Sequence, residues 1–167
     1  MRALLIAALC VLAFALTTPV ATAQMGGGGM TSSGPAGPDR AAYERGVTAY
    51  QANDYEAAIR HLRAARRPAP DHGGVNYVLG MSYRGVGDKD QAREAFAHAV
   101  RDRNAPPGAW LQLGLLALEA GDRNSAVNQQ EALQRQLNRC NSNCDADRRT
   151  NLQRAYDQLS QRLAAAP

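Results

Sequence analysis

The chain has 167 residues, a formal net charge of +4 and 20% charged residues of both signs. That length suits one modest domain. So mild a basic surplus gives no case for nucleic acid and only a weak pull toward anionic cell-envelope partners.

Met1 and Arg2 give a short positive start, Leu4 to Leu16 is an unbroken apolar run, Pro19 breaks it, and Ala21-Thr22-Ala23 supplies a small-x-small site before Gln24. Together they predict a cleavable secretory signal peptide over residues 1–23. The run falls short of the roughly 20 residues that span a bilayer, so no stable membrane span is expected after cleavage. Cys10 follows the bulky Leu9 inside the run, which disfavours lipid attachment there. The mature chain is expected to be periplasmic or secreted. Lys89 is its only lysine, an arginine bias that fits high-GC bacterial coding. Residues 24–38, QMGGGGMTSSGPAGP, have no periodicity and no aromatic residue. They read as a disordered linker that cannot bury enough surface to offset its ordering entropy.

One spacing organises the chain beyond this linker. Gly46, Gly80 and Gly114 stand 34 residues apart, as do Asn53-Asp54, Gly87-Asp88 and Gly121-Asp122, and again Ala58, Ala92 and Ala126. A period of this length, kept through a small residue, a turn and a second small residue, predicts stacked helix pairs. In the first unit, residues 39–72, Tyr43, Gly46, Val47, Ala49 and Tyr50 fall on the first helix. Asn53 is placed to end it in the left-handed conformation, and Asp54 to cap the next. Tyr55, Ala58, Ile59, Leu62 and Ala65 give that second helix an apolar stripe, stopped by Pro68 and Pro70. The second unit, 73–106, is the most regular: Tyr77, Leu79, Gly80 and Tyr83, then the Gly87-Asp88 turn, then Ala92, Phe96 and Ala99. Gly80 and Ala92 are expected to let two helices approach closely, with Phe96 filling the space beyond. The third unit, 107–139, carries Trp110, Leu113, Gly114 and Ala117 before its turn. Its second helix departs from the pattern, with Gln130 at the aromatic position and Leu133 for a small residue, which predicts that stacking gives way there to a terminal cap. Residues 140–167 then hold a cysteine turn and one more helix over 145–163, capped by Asp145 or Asp147, with Leu152, Tyr156, Leu159 and Leu163 on one stripe.

Trp110-x-x-Leu113-Gly114 and Ala92-x-x-x-Phe96 resemble the tetratricopeptide repeat (TPR) pattern, and the resemblance covers residues 39 to about 139 as three units in register. It implies an all-α fold, a right-handed α-solenoid of three TPR helix pairs plus a C-terminal capping helix. It also implies a concave groove lined by the first helix of each pair. Carried onto this sequence, the groove positions are Tyr43, Val47 and Tyr50, then Tyr77, Val78 and Met81, then Leu111, Leu115 and Leu118. Some TPR proteins hold a peptide's terminal carboxylate with Lys, Arg and Asn. Here Tyr43, Val47, Val78, Gly108 and Gln112 stand in those places, so that clamp is absent. What remains is an apolar trough with Arg84 and Glu119 toward one edge, suited to an apolar helical or extended segment of a partner protein. The rival occupant is the chain's own C-terminal helix or Gly-rich arm.

Cys140 and Cys144 are the mature cysteines. In an exported chain an even count reads first as a disulfide. Two residues four apart in a regular helix have Cβ atoms about 5–6 Å apart, beyond the roughly 3.8 Å of a disulfide. The bridge therefore requires the chain to leave the helix, and Asn141-Ser142-Asn143 are turn residues. The spacing is not Cys-x-x-Cys, and no neighbouring histidine completes a metal set. His61, His72 and His98 show no ligand spacing and read as exposed helix and turn residues. No nucleophile–base–carboxylate set, phosphate loop or paired acid motif is present, so neither catalysis nor a cofactor is expected. Arg60, Arg63 and Arg67, with Arg66 beside them, share one face of a helix. That face reads as solvated, with an acidic partner as the minor reading.

The leading expectation is thus a non-enzymatic periplasmic scaffold that binds an apolar peptide or helix in its groove. Two others stand beside it: a redox-sensitive envelope assembly factor acting through Cys140 and Cys144, and a structural array that associates with itself as a homo-oligomer.

Overall fold

The structure is a computed structural model that describes residues 37–140 and 144–166. The predicted signal peptide and nearly all of the predicted linker lie outside the described residues. Within them the chain forms seven helices and no strand: α1 (Arg40–Gln51), α2 (Tyr55–Arg66), α3 (Gly73–Gly85), α4 (Lys89–Ala99), α5 (Pro107–Glu119), α6 (Arg123–Arg139) and α7 (Ala146–Ala165). α1 packs on α2, α3 on α4 and α5 on α6, and successive pairs stack into a solenoid that α7 closes.

The turns inside the pairs repeat atom for atom. Asn53, Gly87 and Gly121 hold positive φ values of 60°, 81° and 76°. Their N–H groups donate to the carbonyls of Tyr50, Arg84 and Leu118, each at 3.0 Å. The N–H groups of Asp54, Asp88 and Asp122 donate to Ala49, Tyr83 and Ala117, each at 2.9 Å. This double closure is the Schellman arrangement, and it satisfies the last carbonyls of α1, α3 and α5. The same aspartates then begin the next helix. Their carboxylates accept from the N–H groups of Ala57, Gln91 and Ser125 at 2.9, 3.0 and 2.9 Å. Two residues therefore end one helix and start another. Asn53 replaces glycine in the first turn, a residue type that tolerates this conformation better than most, and the Tyr55 hydroxyl donates to its Oδ1 at 2.8 Å.

The recurring glycines mark where helices touch. A Cβ on Gly46 would stand 2.6 Å from Leu62 Cγ, and one on Gly80 would stand 2.5 Å from Phe96 Cε1. In both, the ridge comes from the second helix of the same unit. Gly114 breaks the rule, for its Cβ would meet Leu159 of α7 at 2.7 Å. The cause is Gln130, which stands where Phe96 stands one unit earlier. Its amide turns to donate to Ser160 Oγ at 2.7 Å, leaving the apolar space over Gly114 to Leu159, which has 0% exposure. The terminal helix is thus seated as core, with Leu152 and Leu163 also buried. Each such leucine contributes roughly 1.5–3 kcal/mol by leaving water.

The core falls into two clusters. One joins the first two units through Leu62, Val75, Leu79 and Phe96, and Leu116 reaches it from α5. The other joins the third unit to α7 through Trp110, Leu133, Leu137, Leu152 and Leu159. The repeated Ala58, Ala92 and Ala126 have no exposed surface at all. Asp145 caps α7 by accepting from the Asp147 N–H at 3.1 Å. At the end of α6 the backbone leaves the helix at Cys140 (φ −78°, ψ 74°). This exit brings Cys140 and Cys144 to disulfide distance, joined, with Cα atoms 5.0 Å apart.

Candidate functional site

The groove positions implied by the sequence divide into two groups. Tyr43, Tyr50, Tyr77, Val78 and Met81 are half-buried and pack on the first core cluster, and Val47 is half-buried on α1 among them. They form an apolar surface on α1 and α3. Tyr50 leans toward Tyr55 with ring centroids 5.9 Å apart, and Tyr77 toward Phe96 at 6.0 Å. These tilted aromatic contacts orient the two rings on the core.

The third unit contributes differently. Leu111 is buried in the second cluster, and Leu115 and Leu118 are half-buried beside it. Leu115 and Leu118 line a cleft of about 400 Å³ whose far wall is Arg162, Ala165 and Ala166 of α7. The terminal helix therefore covers this end of the trough. At the boundary, Tyr77, Gly108 and Leu111 face Ala155 and Gln158 of α7 across a pocket of about 300 Å³. Gly108 lets the Tyr77 ring lie close there, since a Cβ would stand 2.7 Å from the hydroxyl oxygen and the ring would have to shift. Burial first, and the neighbouring Tyr50 second, push the Tyr77 phenol above its usual range. It stays a neutral O–H at the mouth of this pocket, able to donate.

The edge of the trough carries an ion network between the second and third units. Arg84 donates to the Gln112 side chain and, at 2.8 Å, to Glu119 Oε1. Lys89 Nζ stands 2.9 Å from Glu119 Oε2. The Lys89 hydrogen bond first, and the Arg84 charge with it, hold the Glu119 carboxyl below its ordinary 4.5. The TPR resemblance implied Arg84 and Glu119 at this edge but not Lys89, which enters from the start of α4. Arg84 is thus already engaged and does not present a free cation to the trough.

Two of the three histidines have structural partners that spacing did not reveal, and all three, His61 included, are half-buried rather than exposed. His72 is the N-cap of α3, and its Nδ1 accepts from the Val75 N–H at 3.3 Å. His98 Nδ1 lies 2.7 Å from Asp71 Oδ1, with Arg101 3.5 Å from the same oxygen. The His98 hydrogen bond is the main cause that lowers the Asp71 carboxyl. Asp102 is also lowered, first by the Asn104 N–H and then by the Gly73 N–H, the latter donating at 2.7 Å and tying α3 to the α4–α5 connection. Arg60, Arg63 and Arg67 are exposed on α2, with Arg66 half-buried beside them. Among the described residues no group of three or more His, Cys, Asp or Glu side chains could hold a metal ion. No helix among them is long and apolar enough to cross a membrane.

Stacked helix pairs with a lined inner face define a helical-repeat interaction module. The chain belongs to the tetratricopeptide repeat family, whose model matches residues 34–73 and 77–135, and it is a right-handed solenoid of three such pairs with a capping helix. Among solved structures it is similar to the type III secretion translocator chaperone SycD of Yersinia enterocolitica. That likeness has a TM-score of 0.55 at 15% identity and covers 73% of this chain and 83% of that one, so it speaks for the fold. Among curated proteins no sequence matches. The repeats and the shared fold support a protein–protein interaction scaffold.

Proposed function

We propose that the protein is a non-enzymatic scaffold of the bacterial periplasm that holds an apolar segment of a partner protein in the trough on α1 and α3. The observation that carries this reading is the half-buried surface of Tyr43, Tyr50, Tyr77, Val78 and Met81, continuous with one core cluster and ending at the pocket beneath Tyr77. Tyrosine offers large area with few torsions, and methionine adapts its shape, so both suit contact with a variable apolar ligand. The absent carboxylate clamp and the engaged Arg84 argue for side-chain burial rather than recognition of a chain terminus. α7 limits the open length to the first two units, which favours a short segment with one anchoring side chain in the boundary pocket. Periplasmic location rests on the leader pattern of residues 1–23 and on the paired Cys140 and Cys144, which fit an oxidising compartment.

A panel of labelled apolar and polar peptides, read by fluorescence anisotropy against the full chain, tests the trough. Apolar peptides are expected to bind and Met81→Glu to abolish binding while the thermal transition is kept. Equal affinity of the Met81→Glu variant, or no preference for apolar peptides, overturns the reading.

A further inference from the structure

The second helix of the first unit carries a cluster that the trough does not use. Arg60, Arg63, Arg66 and Arg67, with Ile59 and Pro70, line a cleft of about 600 Å³ along α2 and the turn after it. Some arginines elsewhere on the described surface meet carboxylates: Arg40 with Glu44, Arg93 with Asp90, Arg101 with Asp71 and Arg135 with Glu131. Others there, such as Arg45 and Arg139, stand without an ion pair among the described residues. What sets α2 apart is four arginines gathered on one cleft. Among the described residues none of the four α2 arginines forms an ion pair. The carbonyl end of α2 attracts cations in its last turn, which accounts for Arg63 and Arg66. It does not account for Arg60 in the middle of the helix. Like charges three and four residues apart on a helix repel, so the free protein holds these groups together against that repulsion.

One wall of the cleft is also fixed from below. Asn76 has no exposed surface. Its amide donates to the carbonyls of Pro70 at 2.7 Å and His72 at 3.0 Å, and its Oδ1 faces Arg66 Nη1 at 3.5 Å. A buried side chain thus holds both the turn and one guanidinium group, and that arginine need not be ordered again when a ligand arrives.

We propose that this cleft docks an acidic, extended segment of a partner protein. Arg60 to Arg67 spans about 10 Å of helix at 1.5 Å per residue. That equals about three residues of extended chain. Same-side residues of an extended chain lie about 6.7 Å apart, close to one turn of α2, so carboxylates at alternate positions meet successive arginines. Each guanidinium fork takes a carboxylate through two parallel hydrogen bonds. Ile59 supplies an apolar patch for the methylenes of a glutamate. A lipid surface, being flat, would reach the rim arginines but not Arg66 within the cleft. This docking is independent of the trough, which lies on other helices.

The test uses the full chain at low salt and a labelled octapeptide of alternating Glu and Ala, read by anisotropy. Its controls are the Gln and Ala counterpart, inorganic phosphate, and phosphatidylcholine vesicles with and without phosphatidylglycerol. Saturable binding of the Glu peptide is expected, with no binding of the Gln peptide. The double variant Arg63→Ala, Arg67→Ala should weaken it about tenfold, and Arg63→Lys, Arg67→Lys less, because charge is kept and the fork lost. These side chains are exposed, so neither variant should lose its cooperative melt, and the alanine variant should melt at the same or a slightly higher temperature as the repulsion is relieved; a circular dichroism melt checks this. Absence of Glu-peptide binding, or equal binding by the alanine double variant, overturns the proposal. So does vesicle binding that the alanine variant abolishes while the peptide stays free, which would assign the cleft to a membrane surface. Competition by phosphate at a concentration equal to the peptide's would reduce it to a general anion site and likewise overturn it.

Discussion

The seat of α7 can be tested by a reversal of sign. Leu159→Ala removes a fully buried side chain and should destabilise the array by about 3 kcal/mol, within the range for such truncations. Gly114→Ala alone combines two opposed effects. Alanine is better than glycine inside a helix by about 0.8–1 kcal/mol. The new Cβ, however, would stand 2.7 Å from both Cδ atoms of Leu159 and 3.3 Å from its Cγ, and overpacking of this kind costs about 1–3 kcal/mol. Net destabilisation of about 1 kcal/mol is therefore expected. Those three atoms are the nearest neighbours of the Cβ, and Leu159→Ala removes all of them. In that background Gly114→Ala should stabilise by up to about 1 kcal/mol, a coupling of about 2 kcal/mol between the positions. Urea unfolding followed by far-ultraviolet circular dichroism measures all four corners of the cycle, and coincidence with Trp110 fluorescence checks that one transition is being read. If Gly114→Ala destabilises equally in both backgrounds, α7 does not sit on α5 through this contact, and the account of Gln130 fails with it.

Glu119→Gln tests the edge network through pH. Unfolded Glu119 titrates near 4.5 and the folded carboxyl lies lower, so the unfolded chain binds more protons in that window. Stability from this group is complete above 4.5 and lost as pH falls through the folded value; thermal melts from pH 6 downward should show a shallower acid loss in the variant. Asp102→Ala leaves the buried Gly73 N–H without its acceptor and should cost about 1–3 kcal/mol, read by urea unfolding. Cys140→Ser and Cys144→Ser should each cost about 2 kcal/mol because the closed loop is short; hydrogen exchange should show the loss in α6 and α7 and spare α1 to α4. Gly80→Leu places a side chain where Phe96 already stands 2.5 Å from the first atom and should abolish the cooperative melt.

The architecture was legible because its determinants are local and recur. A left-handed residue ends a helix by backbone geometry and the aspartate after it caps the next with its carboxylate, so Asn53-Asp54, Gly87-Asp88 and Gly121-Asp122 announce the turns wherever they stand. Close packing at Gly80 was legible for the same reason, since its partner Phe96 lies in the same unit at a fixed offset. The partner of Gly114 was not, because Leu159 comes from 45 positions further along the chain and follows no repeat. Gln130 signalled that stacking ends there without saying what fills the space. The groove positions were placed by analogy with regular units, and that analogy carries no information about a seventh helix lying over Leu111. The histidine partners were hidden in the same way. His98 and Asp71 are brought together by the stacking of α4 on the α2–α3 turn, and neither residue's neighbours in sequence indicate it.

One position therefore sets how far α7 covers the inner face. An aromatic side chain at 130 would cover Gly114 from within the unit, as Phe96 covers Gly80, and α7 would have no apolar seat there. With Gln130 the seat is vacant, Leu159 takes it, and the following turns of α7 bring Arg162, Ala165 and Ala166 over Leu115 and Leu118. Covering Leu111, Leu115 and Leu118 and closing the array are thus the same event, while Leu116 on the other side of α5 is buried against the first two units; α5, the most apolar of the first helices, therefore leaves no large apolar face in water. The first two units use half-buried tyrosine, valine and methionine on α1 and α3 instead. Of these, the tyrosines keep a hydroxyl in water while their rings pack on the core, which leaves this face less apolar than a run of leucines would.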